Sequence, residues 1–170
     1  MGAQHASVPR WTDERPHIDP SARAVALVEF GPSGAAAVRG WAAVVPDGVP
    51  ARTHLAPAAD EDTRALLAEQ IAAARVGWRL VLAGPEIEVL AARALATGLG
   101  VLDAEISVAV TDAQRKRVFC PHCRTTTTTE EPVGGSVPCD GCGRRLFVYA
   151  HVSRRAGAYL GFMADAEEAA

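Results

Sequence analysis

Four cysteines carry the most specific chemistry in this chain, and they are the only four it has. Cys120 and Cys123 form one C-x2-C pair, Cys139 and Cys142 form a second, and fifteen residues separate the two. Two thiolates three residues apart on a tight turn can point at one ion. A second such turn completes a tetrahedron around it, so the spacing is that of a four-thiolate metal site. The flanking residues suit such turns: Gly141 and Gly143 allow positive φ, and Pro121 and Pro138 fix the chain where each turn begins. Two disulfides are the competing use of four cysteines. No secretory signal stands at the N-terminus, and a reducing cytoplasm keeps thiols free for metal, so the metal is expected.

Zn(II) and iron both accept four thiolates by geometry. Zinc is the expectation here, because the redox-active alternative usually has glycine after both turns. In this chain Gly143 follows the second pair, but Arg124 follows the first. His122, inside the first turn, would be redundant as a fifth ligand and is expected to be exposed or to donate to a ligand sulfur. No Ser/His/Asp set and no pair of carboxylates at a plausible pocket accompanies the cysteines, and a closed four-sulfur site leaves no position for substrate. No catalytic residue is assigned, and the chain reads as non-catalytic.

These turns need strands to hold them. Thr125 to Thr129 is a β-branched run and Arg144 to His151 a second extended one, which makes residues 118–152 a zinc-ribbon or rubredoxin-like module. The preceding residues alternate short apolar runs with helical stretches. Ala24 to Phe30, Ala51 to Leu55, Trp78 to Ala83 and Glu105 to Val110 read as strands. Between them lie a helix from Ser33 as N-cap, a helix after Asp60-Glu61-Asp62 with Gly77 as C-cap, and a helix entered through Gly84-Pro85-Glu86. That alternation predicts an α/β fold, a small parallel sheet of about four strands with helices on both faces. Weak candidates for a cofactor-binding turn are Gly31, Ser33 and Gly34 after the first strand and Gly84 and Pro85 after the third, though neither forms a G-x-G-x-x-G fingerprint.

The domain reading is then a flexible arm over 1–22 containing Trp11, an α/β domain over 23–111, a linker over 112–117, the metal ribbon over 118–152, and a segment and tail over 153–170. In the last of these, SRRAGAYLGF is expected to be a helix or extended segment folded back on the body. The chain has 170 residues, a formal net charge of −3 and no apolar run long enough to span a bilayer. The acidic balance argues against a nucleic-acid partner, and no membrane association is expected. The expected location is cytoplasmic.

Two resemblances add to this reading. RLVLAGPEIEVLAARALATGLGVLDAEISVAV resembles the last βαβ unit of the nicotinamide-binding domain of ferredoxin reductase-type flavoproteins, with Ala83 where those enzymes carry a cysteine. The end of the chain is similar to the small DmmA-like subunit of bacterial dimethylamine monooxygenase. Cys120-Pro-His-Cys123, Cys139-Asp-Gly-Cys142-Gly143-Arg-Arg-Leu-Phe147 and Ser153-Arg154-Arg155-Ala156-Gly157-Ala158-Tyr159-Leu160-Gly161, with Asp165 and Glu167, carry it. The resemblance implies an accessory, non-haem subunit of an NADPH-dependent, haem-containing N-demethylating monooxygenase. Haem, flavin and iron–sulfur groups would then sit on partners: a haem subunit, a reductase subunit and a folate-binding subunit. The alternatives are a rubredoxin-like electron carrier with iron at the four cysteines, or a zinc-ribbon protein-interaction adaptor. Arg144, Arg145, Arg154, Arg155, Tyr159 and Phe162 are the expected partner-binding residues, since arginine and aromatic side chains are enriched at interface hot spots.

Overall fold

The computed structural model describes residues 17–164. Strand β1 (Ala24–Phe30) is apolar and buried nearly throughout, as a strand covered on both faces must be. It pairs in parallel with β2 (Ala51–Ala56) and β3 (Trp78–Pro85), and β3 pairs in parallel with β4 (Ile106–Asp112), giving the sheet order β2-β1-β3-β4. Because side chains alternate along a strand, the two faces of β1 feed two cores. Val25 and Leu27 pack under Val38 and Trp41 of α1 (Gly31–Ala42). Ala26, Val28 and Phe30 pack under α2 (Glu61–Ala73) and α3 (Glu86–Gly98), through Leu67, Val89, Ala92 and Ala96. The four-stranded parallel sheet with helices on both faces is therefore as expected.

Local details differ from the sequence reading where chain geometry overrides side-chain preference. Ser33 does not cap α1: the N-cap is Phe30, with Pro32 in the first turn, and the Ser33 hydroxyl instead lies 2.8 Å from that of Thr111. Asp60 does cap α2, accepting from the Thr63 N–H at 3.1 Å. Gly77 is not the C-cap of α2, which ends at Ala73. It sits at φ 91 in the turn into β3, where a Cβ would come 2.6 Å from Arg23 Cγ. Most of the expected N-terminal arm, with Trp11, lies outside the described residues. Residues 17–22 are seated on the α1 side of the sheet, where Ile18 and Ala22 are buried and Asp19 pairs with Arg79 at 2.6 Å.

The connection after β4 is short, 113–115, because β5 (Lys116–Phe119) begins at once. A second sheet follows, in the order β6-β5-β9-β8-β7, built from β6 (Thr126–Thr129), β7 (Ser136–Pro138), β8 (Arg145–Ser153) and β9 (Ala158–Met163). Of the two expectations for the segment after the ribbon, the extended one holds and the helix does not. The segment is the middle strand of the sheet, parallel to β5 (Val118↔Tyr159) and antiparallel to β8 (Phe147↔Phe162). Ser153 Oγ accepts from the Ala156 N–H at 3.2 Å and closes the β8–β9 turn rather than starting a helix.

The ribbon is bound to the α/β unit through α3. Leu90 of α3 completes the ribbon core of Val118, Leu146, Val148, Val152 and Tyr159. Gly157, at φ 57, lies against the Leu90 carbonyl with no room for a Cβ. Asp103, in a 3-10 turn after α3, takes Arg93 at 2.7 Å and Arg154 of the β8–β9 turn at 2.5 Å.

Candidate metal centre

Each cysteine pair sits in a turn of the same construction. Cys120 N–H donates to Thr125 O at 2.9 Å and Arg124 N–H to Cys120 O at 2.8 Å. In the second turn Cys139 N–H donates to Arg144 O and Gly143 N–H to Cys139 O, both at 2.8 Å. The residue after each pair has left-handed backbone, Arg124 at φ 66 and Gly143 at φ 70. Arg124 is the one non-glycine residue with positive φ among the described residues. The difference in sequence that favoured zinc therefore hides one backbone shape, and it no longer separates zinc from iron.

The four sulfurs converge. All lie within 4.8 Å of one another, with Cys120 Sγ 3.9 Å from Cys142 Sγ and Cys123 Sγ 3.5 Å from Cys139 Sγ. A tetrahedron with metal–sulfur bonds of about 2.3 Å has sulfurs about 3.8 Å apart, so the set fits one four-coordinate ion. All four cysteines are free thiols, which sets aside the disulfide alternative. Cys120 and Cys139 are buried, while Cys123 and Cys142 are half-buried and face the outside of the module.

The outer pair is held by donors from the chain. Cys123 is drawn down to about 6 by the Thr125 hydroxyl first and the Thr125 N–H second. Cys142 also accepts from a backbone N–H, that of Arg144, which pulls its pKa down. Burial and the neighbouring sulfurs outweigh that bond and push it up to about 11. Such N–H and O–H donors orient ligand sulfurs and offset their charge. Thr127, buried at the middle of β6, ties the two turns together by accepting from the Asp140 N–H at 3.0 Å.

Gly141 has a different reason from the one expected. It is not among the positive-φ residues. A Cβ there would instead strike Thr125 and come 3.0 Å from Cys123 Sγ, so its role is to let the second turn approach the first. His122 is exposed, in line with its redundancy as a ligand.

The expected partner-binding residues do not form one surface. Arg144 and Arg145 are exposed at the metal end of β8, and Arg154 and Arg155 at its far end, roughly 25–30 Å away at about 3.3 Å per residue. Tyr159 is only 2% exposed and cannot meet a partner. Burial raises its pKa first, and its hydroxyl also hydrogen-bonds the buried carboxylate of Glu86 at the start of α3. Phe162 is 50% exposed, as expected. Around it stand Phe147, opposite it on β8 and 36% exposed, and Tyr149, edge-on to its ring at 4.9 Å.

The candidate cofactor turns are brought together, as packing contacts. Gly34 lies against the Ala83 carbonyl, and a Cβ on Gly84 would be 2.6 Å from Phe30 Cβ. Glycine at both positions lets α1 and the end of β3 close on each other. Among the described residues no helix is long and apolar enough to cross a membrane.

Residues 117–162 match the family described as dimethylamine monooxygenase subunit DmmA-like, C-terminal domain. The matched span runs from β5 into β9 and contains all four cysteines. The chain is also 39% identical over 107 residues to the heme-dependent oxidative N-demethylase delta subunit of Ectopseudomonas mendocina (strain ymp), over 63% of this chain and 60% of the relative. This chain thus aligns with about three fifths of the relative's length. Both matches bear out the resemblance to DmmA-like subunits. No solved structure matches the chain.

Proposed function

On the premise of a DmmA-like metal module, we propose that this chain is an accessory subunit of a multi-subunit, haem-dependent oxidative N-demethylase. The observation that carries this reading is the convergence of four sulfurs inside the span similar to the DmmA-like domain. The metal, zinc under this structural reading, would staple a module too poor in large apolar side chains to order itself, with Cys120, Cys123, Cys139 and Cys142 holding it. The haem and the NADPH-linked flavin and iron–sulfur centres would sit on other subunits, as would a folate-binding domain. The α/β unit would serve as a docking scaffold, since Gly34 and Gly84 are taken up by the packing of α1 on the end of β3.

The surface proposed to meet the partner subunit is the open face of β8 and β9, where Arg145, Phe147, Tyr149 and Phe162 stand together. Aromatic side chains left half in water beside an arginine have the composition of an interface centre. The test is to reconstitute the complex with Phe162→Ala and Arg145→Ala together. Loss of co-elution and of amine-dependent NADPH oxidation, with metal content unchanged, is the expected result. Undiminished co-elution would place the interface elsewhere.

One observation favours a second reading. The matched turns place N–H donors at Cys123 and Cys142, the two outermost sulfurs, and such donors tune the potential of an iron site. Under that reading the chain is a one-electron relay with iron at the four cysteines. Metal analysis of the protein as purified separates the two, because a ferric tetrathiolate is coloured and a zinc site is not.

A further inference from the structure

Where the ribbon meets α3, the chain leaves a cleft of about 310 Å³ that the assembly reading does not use. Its apolar wall includes Ala91, Ala94 and Leu95 of α3, and three arginines line it: Arg64 from α2, Arg117 from β5 and Arg155 from the β8–β9 turn. Three separate parts of the chain therefore bring an arginine to the lining of one hollow.

Little on the chain neutralises them. Arg117 is partly withdrawn from water, and its Nε donates to the Gly157 carbonyl at 3.1 Å. The carboxylate that influences it is Glu88, whose Oε2 is already engaged by the Ala59 N–H at 2.6 Å. Arg64 has only a 3.9 Å approach to Glu61, both side chains being exposed, and such pairs contribute little. Among the described residues Arg155 has no ion pair, whereas its neighbour Arg154 is committed to Asp103. A partly desolvated cation in a concave wall gains most from an anion that brings its own charge into the cleft.

We propose that this cleft binds a small organic anion, a molecule carrying a phosphate or carboxylate group on a short apolar body. The guanidinium fork matches the paired oxygens of either group, which lysine could not do. The volume lies at the lower end of ligand pockets, roughly 300 to 1,000 Å³, and exceeds what a bare inorganic ion would fill. The alanine and leucine wall suits carbon rather than water. Because the arginines come from both units, the bound anion would bridge the α/β sheet and the metal ribbon. This inference does not depend on the assembly reading.

The test uses the metal-loaded full chain and three probes: inorganic phosphate, phenyl phosphate and benzoate. Titrations followed by amide chemical shifts should show saturable one-to-one binding of at least one organic probe, with shifts concentrated in α3 and residues 154–157. The organic probe should bind about tenfold tighter than inorganic phosphate, and Arg155→Gln and Arg64→Gln should each weaken it about tenfold. Both positions are exposed, so the variants keep the fold, and Arg39→Gln on α1 should bind like the parent. The proposal is overturned if neither organic probe saturates, if inorganic phosphate binds equally well, or if Arg155→Gln and Arg64→Gln bind undiminished.

Discussion

Replacing Arg124 by glycine should stabilise the metal module. Arg124 holds φ 66 because its N–H must reach Cys120 O, the bond that Gly143 makes to Cys139 O in the second turn. An L-residue in that region costs about 1–2 kcal/mol, which glycine does not incur. Glycine gives back about 0.5–1 kcal/mol through the freedom of the unfolded chain. The Arg124 side chain is exposed, so losing its charge near the thiolates costs at most a few tenths of a kcal/mol. The net is a gain of about 0.5–1 kcal/mol. Ordering of the module is linked to metal binding, so the gain should read as about two- to fivefold tighter metal retention in a chelator competition. Arg124→Lys, which keeps the charge and the strain, should match the parent. The reverse change, Gly143→Ala, meets no atom within 4 Å and should lose about 1 kcal/mol from backbone strain alone. If Arg124→Gly released metal faster than Arg124→Lys, the claim that the two turns are equivalent would be wrong.

Four further outcomes are expected. Cys142→Ser should abolish amide protection across residues 118–163 while 24–112 stay protected, as read by hydrogen exchange; retained protection in the ribbon would deny the metal a structural role. Tyr159→Phe removes a buried donor to Glu86 and should lower stability by about 1–3 kcal/mol in urea denaturation, with an unchanged midpoint counting against that bond. Gly157→Ala drives a methyl into the Leu90 carbonyl at a positive φ and should loosen the ribbon from α3, which the thermal midpoint of the α/β unit and ribbon together would report. Arg79, with help from Ser21, holds the Asp19 carboxyl well below the usual range. The stability this adds is present above the unfolded value of 3.8 and is lost as pH falls towards the folded value, so Asp19→Asn should flatten the acid limb of the stability curve.

The parts of this protein that could be read from sequence are those whose cause is local. Ala24–Phe30 is apolar but for Glu29, and such a run bounded by Gly31-Pro32 had few other uses. The cysteine spacing announced a four-sulfur site, and it did so without saying which ion the site takes. What escaped was set by distant segments. β9 could not be placed because the strand it parallels, β5, lies forty residues earlier, and nothing in AYLGFM names that partner. Tyr159 looked like an interface residue because its composition matched one, but its surroundings are supplied by Glu86 at the head of α3. Arg124 concealed a left-handed turn because hydrogen bonding can force an arginine where glycine would sit at ease. Ser33 resembled a cap, yet Gly31 and Pro32 had already started α1 before it.

The central place of β9 has a consequence for how the chain is made. Both cysteine turns emerge from the ribosome before Ala158–Met163 does, so all four thiolates can gather an ion while the sheet around them still lacks its middle strand. During that interval β5 and β8 each present an open edge to the other, and a direct β5–β8 pairing would shut β9 out. The ion, by fixing Cys120 at the end of β5 and Cys142 just before β8, keeps the two edges apart like the jaws of a clamp until the last strand arrives. Metal delivery would on this view guard against mispairing during synthesis, and nascent chains starved of metal should enter aggregates.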